Sequence, residues 1–159
     1  MTDPISRFYE DYPDFKYTYS RNDGWRQKRA FHALAAKQEW SREDRAIAFR
    51  RYQEAWAAVM DQEFSGTGLA DYQTLCRQLE ITPIPDSING CKQQLRGVNV
   101  NIIDLVQYRR DERANRYAEK PFMFENEEDL KRYSDEEDKI CPLEGARSGM
   151  LRALLKKFD

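Results

Sequence analysis

Residues 69–106 constrain this chain more than any other stretch, because LADYQTLCRQLEITPIPDSINGCKQQLRGVNVNIIDLV carries helical apolar spacing with repeated interruptions. Leu69, Tyr72, Leu75, Cys76 and Leu79 recur at intervals of three and four; so do Ile88, Cys91 and Leu95, and then Ile102, Ile103 and Val106, with Val98 at the margin of the third set. Pro83 and Pro85 lack the amide hydrogen a continuous helix needs, and Gly97 supplies a permissive backbone where the second set ends. Asp86 or Ser87 can cap the restart, while Asn99 and Asn101 can cap the third helix with Asp104 in its first turn. The pattern predicts three short helices whose connections are so brief that they must fold back on one another.

The flanking sequence continues in the same style. Ser41-Arg-Glu-Asp44 reads as an N-cap followed by acidic first-turn residues, opening the longest helix, which reaches about Phe64. Ala46, Phe49, Gln53, Trp56, Met60 and Phe64 mark its expected inner face, with Arg42, Arg45, Arg50, Arg51 and Glu54 on the other. Upstream, Ile5, Phe8 and Tyr12 predict a short helix from Pro4 to Tyr12. Phe15 to Ser20 alternates like a strand but has no partner, so an extended aromatic arm is expected, then a helix from Trp25 to about Gln38 with Phe31 and Leu34 inside. Downstream, Pro121-Phe-Met-Phe124 reads as an extended anchor rather than a paired strand. A short helix follows around Glu127 to Tyr133, and a terminal one from about Glu144 to Lys157. The expected architecture is an all-α, single-domain bundle of about six to eight helices over residues 1–159. Residues 1–24 would form the N-terminal helix and extended arm, and 117–143 an acidic, loop-rich segment.

Composition decides whether such a chain folds and where it works. Charged residues make up 34% of it, yet 13% are aromatic, enough large apolar groups for a compact core beneath a charged surface. The net charge of -2 gives no global attraction to nucleic acid or anionic lipid. No stretch approaches the roughly 18 apolar residues of a membrane span, and the first residues carry no apolar leader. A soluble protein of the cytoplasm or nucleus is expected, without membrane association. Cys76, Cys91 and Cys141 are odd in number and far apart, which suits free thiols in a reducing compartment.

The inventory for chemistry is thin. The single histidine, His32, has no G-x-S-x-G elbow to serve, and an ordinary helical histidine is the simpler reading. The cysteines form no C-x-x-C pair, and Cys76 and Cys91 fall on apolar helical faces, so no metal or other cofactor is expected. Asp104 lies in an apolar run, where helix capping explains it more simply than catalysis. The acidic run at 125–138 lacks the order of a calcium loop, and Gly66-Thr-Gly68 has neither a Walker lysine nor a preceding strand.

Two clusters combine cations with aromatics or a helix end. Lys16 to Arg29 contains Tyr17, Tyr19, Trp25, Arg26 and Arg29, the ingredients of a single-strand nucleic-acid binder. Arg109, Arg110, Arg113 and Arg116 lie where cations meet the negative end of a helix. Tyr17, Tyr19, Trp25, Arg26, Arg29, Arg109, Arg110 and Arg113 therefore form the expected interaction surface, to which Tyr9 adds another exposed aromatic.

Tyr72-Gln-Thr-Leu-Cys76, Ile81-Thr-Pro-Ile-Pro85, Cys91 and Asn99-Val-Asn-Ile-Ile-Asp-Leu-Val106, in this order, resemble a recurrent family of small filamentous-fungal proteins of no assigned activity. The resemblance extends to Trp40, Phe124, Leu130, Tyr133 and the leucine-rich C-terminal helix. Tyr72 stands where the family carries tryptophan and Asn99 where it carries histidine. The resemblance implies a fungal source and a single domain, and it designates no functional residue.

The expected role is a non-enzymatic helical module for protein interaction, possible as a homodimer. Nucleic-acid binding through the basic-aromatic arm is the alternative, and a small-molecule enzyme or binder with a pocket near His32 or Asp104 is a third.

Overall fold

The structure, a computed structural model, describes residues 4–15, 27–137, 139 and 149–155. The fold is all-α. Eight helices lie among the described residues: α1 Pro4–Glu10, α2 Gln27–Gln38, α3 Arg42–Glu63, α4 Leu69–Gln78, α5 Ile88–Arg96, α6 Ile102–Arg113, α7 Glu127–Glu136 and α8 Gly149–Leu154. Two strands of two residues each, β1 Asn99–Val100 and β2 Met123–Phe124, complete the order. Within the expected 1–159 domain the chain divides into two compact units, the first running to Met60 and the second starting at Asp61.

The first unit is organised by aromatic packing. Phe31 on α2 is fully buried. Its ring lies 5.1 Å from Tyr52, 5.2 Å from Phe49, 6.1 Å from Trp40 and 6.3 Å from Phe8, at the tilted and edge-on angles that ring quadrupoles favour. Tyr9, expected at the surface, is instead buried and stacks on Phe15 at 5.6 Å. Its neighbour Phe8 faces the same core, so α1 buries two successive side chains with Ile5. On α3 the inner face is Ala48, Tyr52, Trp56, Val59 and Met60. Ala46 is exposed and Gln53 only half-buried, so the stripe is rotated from the expected one toward Tyr52.

In the second unit the prolines and caps act as the sequence suggests. The Ser87 hydroxyl accepts from the Gly90 amide to start α5, and Asn101 accepts from the Asp104 amide to start α6. Between α4 and α5, the Thr82–Pro83 bond is cis. The Gly66-Thr-Gly68 segment opens α4: the Gly68 amide donates to the Asp71 carboxylate at 3.1 Å. A side chain on Gly66 would collide with that same carboxylate, its Cβ falling 2.4 Å from Asp71 Cγ. Local packing thus accounts for this G-x-G. Helices α2, α4 and α6 are each followed by a non-glycine residue at positive φ, Glu39, Glu80 and Asn115, which reverses the chain.

α5 packs against α4 and α8. Tyr72, Leu75, Cys76, Leu79, Cys91, Leu95, Leu105, Val106, Met150, Leu151 and Leu154 are buried in this core. Pro121 to Phe124 differs from expectation. Met123 and Phe124 pair antiparallel with Val100 and Asn99, and α7 packs on both strands. The Asn99 side chain reinforces the pairing by donating to the Phe124 carbonyl. Both strands are too short for any periodicity, and their partners lie far apart in the chain. Of the expected terminal helix only Gly149–Leu154 falls among the described residues, and Cys141 lies outside them.

Candidate functional site

The residues with a capacity for chemistry gather in two polar clusters of the second unit. The first is built on α6. Asn101, capping that helix with its side-chain oxygen, turns its amide nitrogen to Ser134 Oγ at 3.0 Å and to the Lys139 carbonyl at 2.9 Å. This ties the start of α6 to α7 and to the segment after it. One turn on, Asp104 accepts from the Tyr133 hydroxyl at 2.6 Å and from Lys139 Nζ at 2.9 Å, and Lys139 also donates to the Tyr133 oxygen at 2.9 Å. Carboxylate, phenol and ammonium close a triangle. The Asp104 and Lys139 side chains keep only 20% and 18% of their exposure, so each bond is made in a medium where a lost partner is costly.

The electrostatics of this triangle run away from neutrality. Burial raises the Tyr133 hydroxyl, and its hydrogen bond to Asp104 raises it further. For Lys139 burial pulls downward, but the hydrogen bonds with Tyr133 and Asp104 more than offset it and carry the ammonium above the ordinary lysine value. A general base or amine nucleophile needs the opposite, a group poised to lose its proton near neutral pH. The arrangement holds a proton firmly on each partner of Asp104 and behaves as a structural lock.

The second cluster surrounds Glu63 at the end of α3. Its side chain is 3% exposed and receives a two-pronged pair from Arg113, Nη1 to Oε1 at 2.9 Å and Nη2 to Oε2 at 2.8 Å. Arg110 Nε lies 3.5 Å from Oε2 and Arg109 Nε 3.8 Å from Oε1. Arg109 also donates to the Glu63 carbonyl and to Gln78 Oε1, and Gln78 in turn donates to Glu112. Burial works against the Arg109 charge, and Glu63 offsets part of that penalty. The hydrogen bond from Tyr108, followed by that from Gln78, holds the Glu112 carboxyl below its usual range. The face of Arg109 also lies over the Phe64 ring, 5.1 Å from its centroid.

These contacts revise the expected surface. Arg109 and Arg110, expected to present a basic face, are largely enclosed and turned toward Glu63. The reason is a carboxylate some 50 residues away that the helix-end argument does not include. Arg113 is 64% exposed but is committed to the same carboxylate, and Arg116 pairs with the buried Asp111. Tyr17, Tyr19, Trp25 and Arg26 lie outside the described residues, and of Arg29 only the backbone, within α2, is described. His32 is exposed on α2 beside Arg45, to which it is hydrogen-bonded, and its ring meets Phe31 edge-on.

The large apolar groups left outside were not anticipated as a surface. Phe122 is 68% exposed and Tyr117 70%. Phe122 is seated rather than isolated: its ring meets Phe124 at 4.8 Å, and Phe124 meets Tyr133 at 5.2 Å. The aromatic row thus runs from solvent down to the Asp104 lock. The signal for it in the sequence was Pro121-Phe-Met-Phe124, read as an extended anchor. Among the described residues no group of His, Cys, Asp and Glu side chains is arranged to hold a metal ion, and no helix is long and apolar enough to cross a membrane.

Comparison of the chain with protein-family models, with curated proteins and with solved structures finds no match.

Proposed function

We propose that this chain is a non-enzymatic helical module for protein interaction, acting in the cytoplasm or nucleus and belonging to the small fungal family it resembles. The observation that carries the reading is the contrast between spent polar groups and unspent apolar ones. The ionisable clusters around Asp104 and Glu63 are occupied by one another, whereas Phe122 projects into solvent from a fixed aromatic base. An exposed phenylalanine held in place by its neighbours loses little side-chain freedom on meeting a partner, which is the property of an interface anchor.

The test is affinity capture of the full chain from its native cell with in-cell crosslinking. Recovery of a defined protein, crosslinked to specific lysines of this chain, supports the reading. Failure to recover any protein across repeated captures at low and high salt overturns it.

A further inference from the structure

Resting on that interaction reading, we infer that the aromatic row headed by Phe122 receives an extended, basic segment of a partner protein that carries apolar side chains between its cations. Three observations converge on this occupant. The first is the aromatic platform, Phe122 on Phe124 on Tyr133, whose lowest ring is fixed by hydrogen bonds to Asp104 and Lys139. The second is backbone: β2 pairs with β1 on one side, and the two strands are the whole of this sheet among the described residues. An extended chain can add alongside β2, gaining main-chain hydrogen bonds and placing alternate side chains over the rings.

The third observation is charge, and it selects the partner. Between Tyr117 and Arg132 the chain carries five carboxylates, Glu119, Glu125, Glu127, Glu128 and Asp129, against Lys120, Lys131 and Arg132, and Arg132 pairs with Asp129 at 3.5 Å. Lys120 is itself paired with Glu80 at 2.5 Å. Glu119, Glu125, Glu127 and Glu128 are all exposed, with Glu125 next to Phe124 and Glu127 opening α7, the helix packed on β2. A segment bearing lysine or arginine between apolar residues satisfies both rings and carboxylates. An acidic peptide or a nucleic-acid backbone meets like charge.

Fluorescence anisotropy with the full chain tests the assignment. The probe is a short labelled peptide alternating lysine and valine, compared with one alternating glutamate and valine. The lysine peptide is expected to bind in a salt-weakened manner and the glutamate peptide to show no binding. Phe122→Ser is expected to weaken binding by about tenfold or more, the scale of a lost interface anchor. Because Phe122 is exposed and its one described ring contact is with Phe124, the thermal melt of this variant should stay within about 4 °C of the parent's. A Glu125→Lys, Glu128→Lys double variant, which keeps all three rings, should lose a comparable amount.

No binding of the lysine peptide at low salt, or binding that Phe122→Ser leaves unchanged, overturns the assignment. Sedimentation showing that the parent self-associates through Phe122 also overturns it, since a second copy then owns the face. Capture of a cellular partner that survives Phe122→Ser would remove this site while leaving the broader interaction reading intact.

Discussion

Glu63 and Asp104 are both carboxylates held by cations within the second unit, yet they are held in different ways. Glu63 is almost wholly enclosed and faces three guanidinium groups, one of them two-pronged. Asp104 keeps a fifth of its exposure and is held by one ammonium and one phenol. The first arrangement stores a large electrostatic dependency where water cannot replace a missing partner. The second is a fastener near the surface, joining α6 to α7 and Lys139. Burial, more than the number of partners, should decide how each responds to damage.

The largest effect is expected from Glu63→Gln, which takes from the enclosed Arg109 its principal opposing charge, with Glu112 and Asp71 contributing less. We expect a loss of about 3–5 kcal/mol, read as a fall in the urea midpoint with an unchanged slope. A loss below that for Asp104→Asn would erase the distinction. Asp104→Asn comes second, at about 1.5–3 kcal/mol, the range of hydrogen bonds to charged groups. Tyr133→Phe comes third, at about 1 kcal/mol, because the ring and its contact with Phe124 remain while one hydroxyl is lost. At the bottom stands Arg51→Ala. Its pair with Asp11 is close, at 2.7 Å, but both side chains are 54% exposed, and a change of no more than about 1 kcal/mol is expected in the same denaturation assay.

The pH dependence sharpens the same contrast. The fold binds the Lys139 and Tyr133 protons more tightly than the unfolded chain does, since both groups titrate above their ordinary values. That stabilisation is complete below about pH 10 and is lost as pH rises through the raised values. Stability measured across the alkaline range should therefore fall for the parent and fall less for Tyr133→Phe. Glu112 acts at the other limb, because its folded value is depressed: its contribution is present above the ordinary carboxylate range and is lost as pH falls through that depressed value. An alkaline limb identical in parent and Tyr133→Phe would show that the triangle contributes nothing to it.

How much of this was legible in the chain depends on the distance between partners. The breaks at Pro83, Pro85 and Gly97 and the caps Ser87 and Asn101 are local, and they place α4, α5 and α6 with their buried faces. Asp104 is different. Its position in the first turn of α6 could be read from its neighbours, but its partners lie 29 and 35 residues further along, and no spacing rule reaches them. The same limit hid the inward turn of Arg109 and Arg110 and the pairing of Met123 and Phe124 with β1. The stripe on α3 was misread by rotation alone, since Tyr52 and Gln53 are adjacent and only packing decides which faces inward. Phe122 shows the converse, an apolar residue in an aromatic run that the fold leaves outside.

The two cysteines of the α4–α5 core add a kinetic consequence. Cys76 and Cys91 are fully buried, and burial, followed by the hydrogen bond to Cys91, pushes the Cys76 thiol up to about 12. In the native protein neither can meet an alkylating reagent, and Cys76 is not a thiolate at neutral pH. Modification must wait until α4 and α5 part. The pair is therefore a built-in clock: the rate at which these sulfurs become labelled reports how often the hairpin opens, with no introduced probe and no change to the chain.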